Sequence, residues 1–157
     1  MVRSSSLPSS SPPLSASLVG TWELASREDH TTSGERRIDP ALGANPIALL
    51  IYDHSGHFAV QFMRRDRTAV VETQAAPSAQ NNSRARGRYD AYFGTYTTDD
   101  ALGTVTQTLT GALSPENVGQ VLTRSMSVVD DVLTIQLQTS TAEAEQVTRT
   151  LRWQRVG

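Results

Sequence analysis

The chain has 157 residues, 38% of them hydrophobic, with 14 basic and 16 acidic side chains, a formal charge of −2 and no cysteine. That length suits one domain with a real core and is short for two. The composition excludes a disulfide framework, a thiol nucleophile and a zinc–thiolate site, and a slightly acidic balance gives no reason to expect nucleic acid as a partner. All 14 basic residues are arginine, which removes Schiff-base chemistry, Walker-type phosphate binding and a lysine base. No apolar run approaches the ~20 residues of a membrane helix, so no membrane partner is expected and a cytoplasmic protein is the reading.

The first 17 residues, MVRSSSLPSSSPPLSAS, hold eight Ser and three Pro with only two leucines and a valine to bury. They read as a disordered tail, without the apolar core of a secretory signal, and the folded domain is expected over 18–157. Leu18 to Glu28 is strand-like, with Trp22, Leu24 and Ser26 on one face. Ile47–Tyr52 and His57–Met63 flank Asp53-His54-Ser55-Gly56, which predicts a β-hairpin with Gly56 at positive φ. Arg84 to Tyr92 predicts a short helix, capped by Asn82 or Ser83 and weakened by Gly87. Gly94–Thr98, Thr104–Leu113, Gln120–Val129, Val132–Thr139 and Gln146–Val156 complete a set of strands joined by short links.

Short links favour sequential antiparallel neighbours over parallel crossovers. Eight such strands leave exposed edges unless the sheet closes, and closure at that number leaves room for side chains or one small ligand. The expected fold is therefore all-β, an eight-stranded antiparallel up-and-down barrel with one short helix. A β-sandwich is the alternative, disfavoured by the hairpin-length connections.

Gly20-Thr21-Trp22 resembles the G-x-W signature of the lipocalins and the wider calycin group. Leu18–Leu24, Leu50–His57, Ala91–Tyr96 and Leu151–Arg155 are similar, in that order, to a lipocalin-like domain family of small bacterial and fungal barrel proteins. Related sequences often carry a histidine in the strand where this chain has Thr106-Gln107-Thr108. The resemblance implies that Trp22 closes one end of the barrel beneath Arg155 or Arg152. Barrels of this type host carriers, binding proteins and a few isomerases or cyclases.

Several polar groups are candidates for the lumen. Gln61 sits among Phe58, Val60, Phe62 and Met63, where a buried amide needs a protein or ligand partner. Gln107 raises the same question. Arg124, between Leu122 and Met126, signals a carboxylate or enolate ligand if it faces inward, and is an ordinary surface charge if it faces out. Tyr52, Tyr89, Tyr92 and Tyr96 suit the mouth of a cavity, or pack the expected helix on the barrel, and Tyr92 and Tyr96 rank first because they fall in a family-like segment. His57 and Tyr96 are the candidate proton carriers if chemistry occurs, with Glu72 beside them. His54 and His57 beside Asp53 have a metal-like spacing, but across a hairpin turn they read as solvated, and neither metal nor cofactor is expected.

The arginines of 64–67 and 84–88 read as a solvated surface or as salt-bridging with Asp90 and Glu72. The sequence thus predicts a monomer or homodimer that takes a small apolar or amphipathic molecule into the lumen. Tyr52, Gln61, Met63, Tyr92, Tyr96, Gln107 and Arg124 are its expected contacts. The alternatives are a cofactor-free cyclase or isomerase in biosynthesis, and a filled barrel that serves as an interaction module.

Overall fold

Alternation of inward apolar and outward polar side chains makes these segments strands, and the turn residues between them set the order in which they pair. The computed structural model describes residues 12–66, 88–141 and 143–157. It contains α1 (Leu14–Ser17), β1 (Gly20–Thr31), β2 (Arg36–Arg37), β3 (Ile47–Tyr52), β4 (His57–Met63), β5 (Tyr89–Asp99), β6 (Thr104–Ala112), β7 (Val121–Val129), β8 (Val132–Ser140) and β9 (Gln146–Arg155). Every pairing is antiparallel, in the order β1-β3-β4-β5-β6-β7-β8-β9, and β1 returns to pair with β9 from Trp22↔Arg155 to Thr31↔Val147. These eight strands close the barrel, and β2 is a two-residue flap on the far part of β1.

The turns are built by the residues that tolerate them. Gly56 has φ 92°, as the hairpin reading requires, and the Asp53 carboxylate accepts the Ser55 and His57 amides at 2.9 Å each. Asp130 and Asp131 both take positive φ, 51° and 62°, which matches the twist of a two-residue hairpin between β7 and β8.

One end of the barrel is closed by α1, Trp22 and the end of β9. The Trp22 indole is fully buried, donates to the Leu18 carbonyl at 3.0 Å, and lies 4.3 Å beneath the Arg155 guanidinium. Arg155 also donates to the Val19 carbonyl at 2.8 Å, to the Ser17 carbonyl, and to Asp131 at 2.9 Å. Arg152, the other candidate, points outward. Gly20 is required here: its φ is 147°, and a Cβ would lie 2.4 Å from Arg155 Nη1 and 2.8 Å from the Gly157 carbonyl oxygen. Ser15 ties α1 to the β5–β6 turn through both oxygens of Asp100, at 2.8 and 2.9 Å.

Two expectations need correction. The short helix is not at Arg84–Tyr92. Residues 84–87 lie outside the described residues, and Tyr89–Tyr92 are strand, because Asp90 and Tyr92 pair in register with Phe62 and Val60. The helix instead falls on Leu14–Ser17, assigned to the tail by composition; Leu14 and Leu18 are buried against the barrel end and supply its apolar anchor. The remaining tail residues, 1–11, lie outside the described residues, as does Glu72.

Candidate functional site

The inward faces of the strands enclose a narrow lumen. About 40 Å³ is open to the centres of water-sized spheres, room for roughly three waters. Its wall combines Leu50, Val60, Phe62, Met126, Ile135 and Leu151 with a set of polar groups: Tyr52, Tyr92, Gln107, Arg27, Arg124 and Arg149. The end of the barrel away from Trp22 is covered by the loop before β3, from which buried Leu42 reaches the lumen. Asp39 shapes that loop by accepting the Ala41 and Leu42 amides at 2.7 and 3.2 Å.

Beneath the loop lies a buried ion-pair network that sequence reading missed. Arg149 grips Asp29 with two parallel hydrogen bonds, 2.8 and 2.9 Å, and Arg27 reaches Asp39 at 3.0 Å and Asp29 at 3.8 Å. Burial and the like charge of Arg149 lower the Arg27 pKa, and Asp39 and Asp29 oppose them. Burial also works against the Asp39 carboxylate, yet the Arg27 charge and the Leu42 and Ala41 amides hold its pKa below the usual range. Such a network is costly to break from one side, because the surviving charge is stranded away from water.

The reason Arg27 was missed is a β-bulge. The β1–β9 register shifts between Leu24 and Ser26, so the inward series Trp22, Leu24 does not continue to Ser26 but passes to Arg27 and Asp29. No sequence signal marks that bulge. Arg149 was legible: it shares a face of β9 with Val147, Leu151 and Trp153, and strict alternation alone places it inside.

Among the sequence candidates, Tyr52, Tyr92, Gln107 and Arg124 come together at the lumen. Gln107 Nε2 donates to the Tyr52 hydroxyl at 2.6 Å, and that hydroxyl donates to Met126 Sδ at 3.8 Å. Burial pushes both the Tyr52 and Tyr92 phenols far above their ordinary range, so they stay protonated. Arg124 Nη1 makes a long contact, 3.3 Å, to the Thr123 carbonyl, while Nε and Nη2 are buried with no hydrogen-bond partner. Burial, with the like charge of Arg149, lowers the Arg124 pKa. Trp153, also in the wall, has a buried indole N–H without a partner. Among the described residues that line the lumen, the side-chain groups left unmet are donors, on Arg124 and Trp153.

The other candidates stand elsewhere. Gln61 and Met63 share the outward parity of β4, opposite Phe58, Val60 and Phe62; Gln61 accepts a hydrogen bond from the Tyr89 hydroxyl on the outer surface. His57 is also outward, in the exposed hairpin, with Nδ1 2.8 Å from Ser55 Oγ and 4.0 Å from Asp53. The expected position of His57 at the barrel mouth is thus corrected by one residue of strand parity. Tyr96 does face inward, but it lies outside the lumen wall: its ring meets Tyr52 edge-on at 4.8 Å and its hydroxyl donates to the Asp53 carbonyl at 2.6 Å. Among the described residues no group of three His, Cys, Asp or Glu is placed to hold a metal, and no helix is long and apolar enough to cross a membrane.

A closed up-and-down barrel, sealed at one end by a helix and by a tryptophan under an arginine, around a small lumen, defines a lipocalin-type protein. The chain belongs to the lipocalin-like domain family, whose model matches residues 19–156. A comparison with curated proteins returns no match. Membership in this family suggests ligand binding in the barrel in general terms.

Proposed function

We propose that the barrel binds a small organic anion, a carboxylate or an enolate, with its charged head on Arg124. The observation that carries this reading is the unpartnered guanidinium in the wall. Three guanidiniums, Arg27, Arg124 and Arg149, line the lumen, and the carboxylates Asp29 and Asp39 are engaged by Arg27 and Arg149. A third inward carboxyl, Asp90, its pKa raised by burial to about 7, is influenced by Arg27 and Asp39 and is not among the groups that act on Arg124. Arg124 is left over, with Nε and Nη2 buried and aimed at no acceptor. A buried donor without a partner costs roughly 1–3 kcal/mol, more when it is charged, and an arriving carboxylate removes that cost with charge-assisted hydrogen bonds.

The size of the lumen supports a small head group rather than a large apolar ligand, since drug-sized ligands occupy pockets of about 300 Å³ or more. Tyr52, Tyr92 and Gln107 would complete a polar cradle around the head group. The apolar residues opposite them would face the carbon skeleton. A purely apolar molecule would leave the Arg124 donors unmet, so the amphipathic version of the expected ligand is the one the wall favours.

Calorimetric or NMR titration with acetate and with its neutral isostere acetamide tests this reading. Acetate is expected to bind at least tenfold more tightly than acetamide, and Arg124→Gln is expected to abolish the difference while the fold survives. Equal affinity for the two, or full acetate binding in Arg124→Gln, overturns it.

A further inference from the structure

The barrel wall is not hydrogen-bonded all the way along. β7 and β8 pair from Val129↔Val132 to Ser125↔Gln136 and then stop, although β7 continues to Val121 and β8 to Ser140. Over that stretch, among the described residues, β7 is paired only with β6, down to Thr108↔Val121, and β8 only with β9, up to Ser140↔Gln146. Beyond Ser125↔Gln136 the facing edges, with Thr123 and Arg124 on β7 and Leu137 and Gln138 on β8, are not joined by ladder pairs and leave an open seam. Unpaired edges inside a sheet are unusual, because each backbone donor or acceptor needs a partner.

A groove of about 360 Å³ occupies this seam, lined by Thr123, Arg124, Ser125, Gln136, Leu137 and Gln138. Arg124 and Leu137 line both the groove and the lumen, so the two spaces meet at the guanidinium with the unmet donors. The axial routes are obstructed by contrast. Trp22 and Arg155 seal one end, and Leu42 with the Arg27–Asp39 and Arg149–Asp29 pairs fills the other. The groove is lined by hydroxyl- and amide-bearing residues, whereas the lumen is mostly apolar apart from its donors.

We infer that the β7–β8 seam is a lateral binding site, in which an organic acid places its carboxylate on Arg124 and lays a hydrogen-bonding remainder between the two strands. The inference rests on the reading of Arg124 as an anion site and adds the class of ligand: an acid whose tail carries amide or hydroxyl groups. The tail takes up the hydrogen bonds that β7 and β8 leave unmade, in the manner of a short inserted strand. Its entry past hydroxyl and amide groups also keeps the carboxylate hydrogen-bonded as it loses its hydration.

The probes are acetate, pentanoate and N-acetylglycine, the last two alike in length but differing in the amide. N-acetylglycine is expected to bind at least fivefold more tightly than pentanoate. The chain has no cysteine, so Thr123→Cys/Gln138→Cys introduces the only thiols, one on each side of the seam. Bridging them, by oxidation or with a short bis-thiol reagent, is expected to reduce the advantage of N-acetylglycine over pentanoate to less than twofold. Gln138→Trp, at an exposed position, fills the groove without a bridge and is expected to act the same way. If acetate binds but N-acetylglycine gains nothing over pentanoate, or is untouched by both obstructions, the lateral site is overturned and the Arg124 reading stands. If acetate itself does not bind the unmodified protein, the Arg124 reading fails, and the lateral site with it.

Discussion

Asp90 shows what a single buried carboxyl does to the whole domain. Its side chain is fully buried on the inward face of β5, and neither oxygen has a hydrogen-bond partner among the described residues. Burial raises its pKa from 3.8 to about 7, only partly opposed by the neighbouring Ala91 amide and by Arg27. A carboxyl whose folded pKa is raised holds its proton more tightly in the folded state than in the unfolded chain. Its stabilising contribution is therefore complete below about pH 4 and is lost as pH rises through about 7. The loss amounts to about 2–4 kcal/mol over that window. Asp90→Asn, which keeps the shape and removes the charge, is expected to flatten this fall and to leave the protein more stable than wild type at pH 8. Denaturant melts at pH 4, 6 and 8 check it; parallel curves for the two proteins contradict it. Legibility at this scale followed strand parity. Tyr92, Gln107 and Arg124 stand at the lumen because their strands alternate regularly, although the sequence alone left Gln107 and Arg124 open between the two faces. Gln61 and Met63 were misplaced because an apolar neighbourhood in sequence was taken for burial, although Phe58, Val60 and Phe62 already claim the inner face of β4.

At the scale of elements, bulges decide where the chemistry points. The bulge in β1 swaps Ser26 for Arg27 on the inner face, and a second, between Phe93 and Gly94, bends β5 against β6. At Gly94 a Cβ would stand 1.8 Å from the Thr108 carbonyl oxygen, a backbone atom that cannot swing aside. Gly94→Ala is expected to separate β5 from β6 and to destabilise the domain by about 2–3 kcal/mol, at the upper part of the overpacking range. Thermal melting checks the loss, and faster amide exchange at Gly94 and Leu109 locates it; an unchanged melting temperature contradicts the close approach. The strands themselves were legible from their alternation and turn residues, including the Asp53–Gly56 hairpin. The helix was not: Leu14-Ser15-Ala16-Ser17 has too few residues to carry a helical period, and it forms because Leu14, Leu18 and Asp100 fix it to the barrel. The ion-pair network was illegible for a related reason, since Arg27, Asp29, Asp39 and Arg149 meet only after β1 has bulged and closed on β9.

For the molecule as a whole, closure converts a row of ordinary strands into a container with one guanidinium left without partners inside. Arg155 over Trp22 and the ion pairs beneath Leu42 hold the two ends, and the incomplete β7–β8 pairing leaves Arg124 where the interior meets the side wall. The central claim is that this guanidinium waits for an anion. NMR of protein labelled with nitrogen-15 arginine observes its Nε–H group directly, with the resonance assigned by its loss in Arg124→Gln. On titration with acetate, the Arg124 signal is expected to move downfield and saturate, while exposed Arg152 shows only the small, unsaturating drift of ionic strength. An Arg124 signal that stays in place, or drifts in step with Arg152, contradicts the account.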